Sequence, residues 1–271
     1  MPTVNGASFG AASLQNTRLQ QTNINKLASG SNIPRASDAA ASLAISTVLQ
    51  ADTVVLNQNA ATAAQGGSIG QIADGGLQRI SDGLIRLKEL AVQALSGSQD
   101  PASLSAINAE FVQIRDEITQ IAEQTKFNGQ GLLDNTNNQN FLVGTDPGDA
   151  ISLDNVDATG AALGISGLTV DTVANATAAV GAIDTAITTV SGFRAELGAS
   201  ISLFEVAGEN IASQIENVAA ANSALADADV AAKVTSLVTS KVLNEVQLAV
   251  QAQANKDPQA LLRILENPKG S

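Results

Sequence analysis

The side chains that carry most enzymatic chemistry are missing from this sequence, which has no histidine, cysteine, tyrosine or tryptophan. Without histidine there is no Ser-His-Asp triad and no imidazole to ligate a metal. Without cysteine there is no thiolate nucleophile, no disulfide and no cysteine-based zinc site. Carboxylates, lysine, arginine and hydroxyls remain, a poor supply for catalysis, and the reading is that of a chain that is not an enzyme. Asp146, Asp149, Asp154 and Asp157 invite a calcium site. Their spacing fails the EF-hand loop pattern, and Pro147-Gly148 accounts for the turn between the first two, so a solvated acidic hairpin is expected, with no metal or other cofactor. Asn175-Ala176-Thr177 is a formal glycosylation triplet of a kind that is common by chance. No glycine-rich phosphate loop is present.

With so little chemistry on offer, the elements themselves carry the argument. Aromatics make up 2% of the chain and phenylalanine is their only type, while the apolar 44% is mostly alanine, valine, leucine and isoleucine. Such residues fill thin seams between helices better than a thick globular core. The net charge of −12 argues against nucleic acid or an anionic membrane as partner. No stretch approaches the ~20 apolar residues of a membrane span. Met1 to Ser13 lacks a basic start and an apolar run, so export, if it occurs, uses a route without a cleaved Sec signal.

Along the chain, Leu14, Leu19, Ile24 and Leu27 mark a weak first helix rich in Asn, Gln and Thr, broken at Ser29-Gly30-Ser31-Asn32 and Pro34. A long helix is expected from about Ser37 to Ala94. Its weak point is the glycine cluster Gly66-Gly67, Gly70 and Gly75-Gly76, and its strong half is the heptad stripe Leu77, Ile80, Leu84, Leu87, Ala91 and Ala94. Asp100 then Pro101 read as cap and first residue of another helix, with the seam Leu104, Ile107, Phe111, Ile114, Ile118 and Ile121 and an end at Phe127-Asn128-Gly129. Alternation around Phe141, Val143, Ile151 and Leu153, on either side of Asp146-Pro147-Gly148-Asp149, predicts a β-hairpin within a region of about 136–172, with further short β or turn structure through Leu163 to Val170. From Asn175 to Leu225 the three-four rhythm is strongest, with Arg194, Gly208 and Asn222 as its non-apolar positions. Arg194 reads as a snorkelling seam residue or as a register-setting ion pair with Asp116 or Glu117, and Asn222 as a second register residue. Phase is lost at Ala226-Asp227-Ala228-Asp229, and a last helix in another register carries Val234, Leu237, Val238, Val242, Val246 and Val250, with Asp257-Pro258 expected to interrupt it. The fold class that follows is mainly α: a long antiparallel helical bundle or coiled coil with a small β-hairpin region and paired helical termini. The domains would be 1–40 with 227–271, and 41–226.

Several of these stretches together resemble bacterial flagellin over essentially the full length. They are Leu27-Ala28-Ser29-Gly30, Ala36-Ser37-Asp38-Ala39-Ala40, Arg86-Leu87-Lys88-Glu89-Leu90-Ala91-Val92-Gln93, Ala109-Glu110 and Phe127-Asn128-Gly129 in the first half. In the second half they are Phe193-Arg194-Ala195-Glu196-Leu197-Gly198-Ala199, Asp227-Ala228-Asp229 and Ala252-Gln253-Ala254-Asn255 with Pro258-Gln259 and Leu261-Leu262. Each is weak alone; their order and spacing are specific. The resemblance implies a minimal flagellin without large outer domains, secreted to the extracellular flagellum, whose ends form the inner coiled-coil layer of a filament and whose heptad helices form a rod outside it. It implies self-association into a helical homopolymer for swimming motility, and export chaperone, cap and junction proteins as partners. It also implies that Arg86, Glu89, Leu90 and Glu110 pack in the filament and can meet a toll-like innate immune receptor. A hook-filament junction protein of the same fold is the alternative that the resemblance leaves open.

Overall fold

Leucine, isoleucine and alanine recurring at steps of three and four can be buried only by laying helix on helix, and the computed structural model of the chain is built in that way. It describes residues 6–96, 100–134, 138–146 and 148–266, with side chains described between 11 and 253 within those ranges. The described elements run α1 (Gly6–Ser29), α2 (Ala40–Leu95), α3 (Pro101–Gln124), β1 (Lys126–Phe127), β2 (Gln130–Gly131), β3 (Gln139–Leu142), β4 (Ala150–Leu153), α4 (Val173–Ala226) and α5 (Val230–Glu266). The backbone groups into two compact units, Asp52–Asn217 on the one hand and Met1–Ala51 with Val218–Ser271 on the other.

In the first unit, α2 buries Leu56, Asn59, Ala63, Gly66, Gly70, Ala73, Leu77, Ile80, Leu84, Leu87, Ala91 and Ala94, one unbroken alternation of three- and four-residue steps. The stripe read from Leu77 onward is therefore half of a longer seam, and the glycine cluster does not interrupt the helix. The glycines are the holes of that seam. A Cβ on Gly66 would lie 2.5 Å from the Phe204 ring, and one on Gly70 2.7 Å from Ile201. A helical glycine costs about 1 kcal/mol in propensity, whereas burying a phenylalanine contributes ~1.5–3 kcal/mol, so a notch that admits Phe204 more than offsets its own penalty. On α4 the buried positions Ala176, Ile183, Val190, Leu197, Phe204 and Ile211 recur every seven residues, with Ala179 and Ala186 buried between the first of them. On α3, Ile107, Phe111, Ile118 and Ala122 are buried.

The start of α3 is as the sequence reads: Asp100 accepts a hydrogen bond from the Ser103 N–H at 2.8 Å, with Pro101 first in the helix. Its end is not. The helix stops at Gln124, and Asn128 (φ 50°) and Gly129 (φ 81°) form the two-residue loop of a β1–β2 hairpin. Two successive positive φ values match the twist of a tight hairpin better than that of a helix terminus. The expected hairpin is β3–β4, with Phe141 opposite Ile151, closed by the Asp149 N–H donating to the Asp146 carbonyl at 3.0 Å; Pro147 lies outside the described residues. Phe141 meets Phe204 edge-on, ring centroids 5.4 Å apart. The stretch through Leu163 to Val170 takes the turn form, with Gly164 and Gly167 at positive φ.

In the second unit, α1 ends at Gly30 (φ 67°) and α4 gives way to α5 at Asp227-Ala228-Asp229. These two breaks are bonded to each other: Asn32 N–H donates to the Ala226 carbonyl at 2.6 Å and Ala228 N–H to the Gly30 carbonyl at 3.0 Å. Asp229 caps α5 through the Ala232 N–H at 3.0 Å. Contrary to the sequence reading, Asp257-Pro258 does not interrupt α5, which continues to Glu266. An interior proline removes one hydrogen bond and crowds one turn but leaves the bonds on either side intact. By length and composition α2 and α4 would each also pass for a membrane-crossing helix, a likeness the sequence reading did not find. Their apolar residues recur with a heptad period, which is the pattern of helix-on-helix packing.

Candidate assembly surfaces

A two-helix pair in water normally buries its apolar stripe and exposes its polar one. The pair α1–α5 does the reverse. Its buried side chains are Asn16 and Ser240, and the Asn16 amide Nδ2 donates to the Ser240 carbonyl at 2.8 Å. The Gln20 amide Nε2 and the Gln247 Oε1 are also buried, without hydrogen-bond partners. Most of the apolar residues face out, whereas Leu27 and Leu237 are half-buried. Leu14 is 64% exposed and Leu19 52%, and Val230, Val234, Val238, Val242, Val246 and Val250 lie between 41% and 55%. The sequence pattern in these helices is real, but the surface it describes is not the one between α1 and α5. Covering half-exposed valines contributes roughly 1 kcal/mol each, and a contiguous stripe of them is the composition of an interface.

The other residues singled out from the sequence are placed as follows. Asn222 accepts a hydrogen bond from the Ser46 hydroxyl at 2.6 Å. Arg194 stands at a seam position of α4, and its Nε donates to Asp74 on α2 at 2.8 Å. The partner is neither Asp116 nor Glu117: Asp116 accepts from the adjacent Arg115, and the heptad phase brings α2, not α3, to the arginine. The Asp74 hydrogen bond, opposed by partial desolvation, raises the Arg194 pKa above its ordinary value. Arg86 is bound by two carboxylates, Glu110 on α3 at 2.6 Å and Glu89 one turn along α2 at 3.0 Å. Those bonds, that to Glu110 first, raise its pKa. Arg86, Glu89 and Glu110 are on the surface, whereas Leu90 is 1% exposed and lies in the core beneath them. A partner at this face would touch the three charged residues and not the leucine.

The acidic residues near the hairpin are dispersed among protein donors. Asp154 accepts from the Asn138 amide at 2.6 Å, and Asp157 from the Thr159 N–H and hydroxyl. Among the described residues no three metal-ligating side chains come together. The Asn175 amide donates to Asp171 at 2.8 Å and the Thr169 hydroxyl donates to it at 3.0 Å, and these bonds, that from Asn175 first, hold the Asp171 carboxyl below its usual range. Sequence reasoning missed Asp74, Ser46, Asn16 and Ser240. A search for a polar residue in phase on the facing helix would have found Asp74.

The chain matches the family model for the bacterial flagellin N-terminal helical region over residues 8–138 and that for the bacterial flagellin C-terminal helical region over residues 180–265. It is 36% identical over 250 residues to a flagellin of Halalkalibacterium halodurans, covering 90% of this chain and 91% of that one. To a flagellin of Bacillus subtilis it is 35% identical over 285 residues, covering 92% and 94%. The crystal structure of Bacillus cereus flagellin aligns with a TM-score of 0.51 at 30% identity, over 59% of this chain and 93% of that one. A flagellar hook-associated protein of Vibrio parahaemolyticus aligns with a TM-score of 0.59 over 70% of this chain and 100% of its own; at 15% identity that likeness shows the fold alone.

Proposed function

Because the chain belongs to the bacterial flagellin family, a structural subunit that polymerises into the flagellar filament for swimming, we propose that its outward-facing apolar stripes drive the polymerisation. The observation that carries this is the inverted polarity of α1–α5: Asn16 and Ser240 are buried, while most of the valines and leucines of the pair, Leu27 and Leu237 excepted, stand exposed. Such a pair is poorly held as a monomer, because its internal contacts are polar and partly unsatisfied. Neighbouring copies cover the stripes, and the free energy of burying them is available only in the polymer. In this reading residues 1–40 with 227–271 form the inner core of the filament and 41–226 the rod outside it.

The chain reaches the filament by export in an unfolded state, met by a chaperone on the way and by cap and junction proteins at the tip. On the rod, the face carrying Arg86, Glu89 and Glu110 packs between subunits, with Leu90 supporting it from below, and the same charged face is available to a toll-like receptor when subunits are free. Arg194 and Asn222 fix the register of their helices. The hook-filament junction alternative rests on a shared fold, whereas the flagellin reading rests on sequence identity along most of the chain. Circular dichroism of the purified chain before and after salt-induced polymerisation tests the reading. A gain in helix and protease resistance of both ends on assembly is expected. Ends already fully ordered and resistant in the monomer, with no filaments under the electron microscope, would refute it.

A further inference from the structure

The chain is strongly acidic, and in the Asp52–Asn217 unit most cations are already engaged: Arg86, Lys88, Arg115 and Arg194 all form ion pairs. Among the described residues of that unit Arg79 and Lys126 are the cations that form none, and both line the same cleft between α2 and the end of α3. The cleft has a volume of about 470 Å³, with Ile72 and Ile121 along it. Ile72 is 42% exposed. Two adjacent glycines shape it. Gly75 opens onto free space, and a Cβ on Gly76 would lie 2.7 Å from Leu133 and 2.8 Å from Thr125, so the bare backbone is what lets the end of α3 approach. Two unpaired cations beside exposed isoleucine call for an occupant that is acidic and apolar at once.

The same unit presents such a surface elsewhere. On the solvent side of α4, Leu203 and Val206 are each 53% exposed, one turn apart. Glu205 and Glu209, also one turn apart and exposed, accompany them and form no ion pair among the described residues. We propose that the Arg79–Lys126 cleft of one copy receives the Leu203–Glu209 ridge of a second copy of this chain. The apolar pair seats against Ile72 and Ile121, and the glutamates meet the two cations. Cleft and ridge share no residue, so a head-to-tail contact uses the cleft of one copy and the ridge of the next, and leaves the other patch of each free for a further copy. A contact of that type runs on as an open helical polymer when the rotation between copies does not close into a ring. The proposal rests on the filament reading above and names a contact within it.

The test is a charge-reversal exchange on the full chain. One variant carries Arg79→Glu with Lys126→Glu, the other Glu205→Lys with Glu209→Lys, and monomer helix content is checked by circular dichroism. Each alone should raise the critical concentration for filament growth by roughly tenfold or more at low salt, since like charges now face each other across the contact. Mixed in equal amounts, the two should copolymerise near the wild-type critical concentration, because every reversed cleft then finds a reversed ridge. A neutral variant, Arg79→Gln with Lys126→Gln, should assemble with a weaker dependence on salt than wild type. Unchanged critical concentrations, or failure of the mixture to assemble while wild type does, would overturn this contact and leave the filament reading standing. Failure of the wild-type chain itself to form filaments would sink both.

Discussion

At Gly66 the packing of α2 against α4 comes down to one hydrogen atom. A Cβ there would stand 2.5 Å from the Phe204 ring, which is also held edge-on by Phe141, so the ring has no easy retreat. Gly66→Ala should therefore destabilise the monomer by about 1–3 kcal/mol, the usual cost of overpacking, although alanine is the better helix former. Gly192→Ala is the control: nothing lies within 4 Å of its would-be Cβ, and propensity alone should stabilise by up to ~1 kcal/mol. Urea unfolding of the two variants should move in opposite directions; movement of both to higher stability would show that the Gly66 notch is not filled. Arg194 poses the converse problem, a charge where the seam wants an apolar residue. An ion pair this exposed contributes ~1 kcal/mol or less, whereas a buried leucine contributes ~1.5–3 kcal/mol. The double variant Arg194→Leu with Asp74→Ala should thus melt no lower than wild type. A clearly lower melting temperature would mean that the pair holds more than register.

Helix α3 shows an element whose start is fixed by one side chain. The Asp100 carboxylate accepts the Ser103 N–H, and hydrogen bonding to Ser103 lowers its pKa below the ordinary value. A group whose pKa is depressed on folding contributes stability that is present above its unfolded value, about 3.9, and is lost as pH falls through the lower folded value. Asp100→Ala should accordingly lower the melting temperature at neutral pH and narrow the gap to wild type as the pH falls below the ordinary carboxylate range. A gap that does not change with pH would mean the cap is not ionic. The cap was legible because it is local: Asp100-Pro101 comes just after the helix-breaking Ser96-Gly97-Ser98 and just before an apolar period, whereas Asp257-Pro258, with no such break before it, was misread. The large-residue half of the α2 seam was legible for the same reason. Its other half, Asn59, Ala63, Gly66, Gly70 and Ala73, was not, because small residues carry no hydrophobic signal and take their meaning from the knob on the facing helix. The end of α3 was misread because Asn-Gly serves a helix terminus and a tight hairpin alike, and the distinction lies in the strands on either side. The polarity of α1–α5 was hidden for a different reason: the stripe Leu14, Leu19 and Ile24 has the pattern of a burial surface, but among the described residues nothing buries it.

That last point belongs to the whole molecule and gives its sharpest test. If the valine face of α5 exists for contacts between copies, then charge placed on it should spare the monomer and stop the polymer. Val238 and Val242, 54% and 52% exposed and one turn apart, are the positions to alter, since neither is buried by the chain's own fold. An exposed substitution away from internal contacts usually changes stability by no more than ~0.5 kcal/mol, so Val238→Asp with Val242→Asp should leave the helix content and melting of the monomer near wild type. In a filament the same two carboxylates would be desolvated without partners, a cost of several kcal/mol for each ion. That far exceeds the roughly 1 kcal/mol each valine gains on burial, so growth from wild-type seeds should cease. Sedimentation of seeded mixtures reads this directly, with soluble variant and unchanged circular dichroism as the expected result. Incorporation of the variant at the wild-type rate would place the valine face on the outside of the polymer as well, and the stripe would then need another explanation.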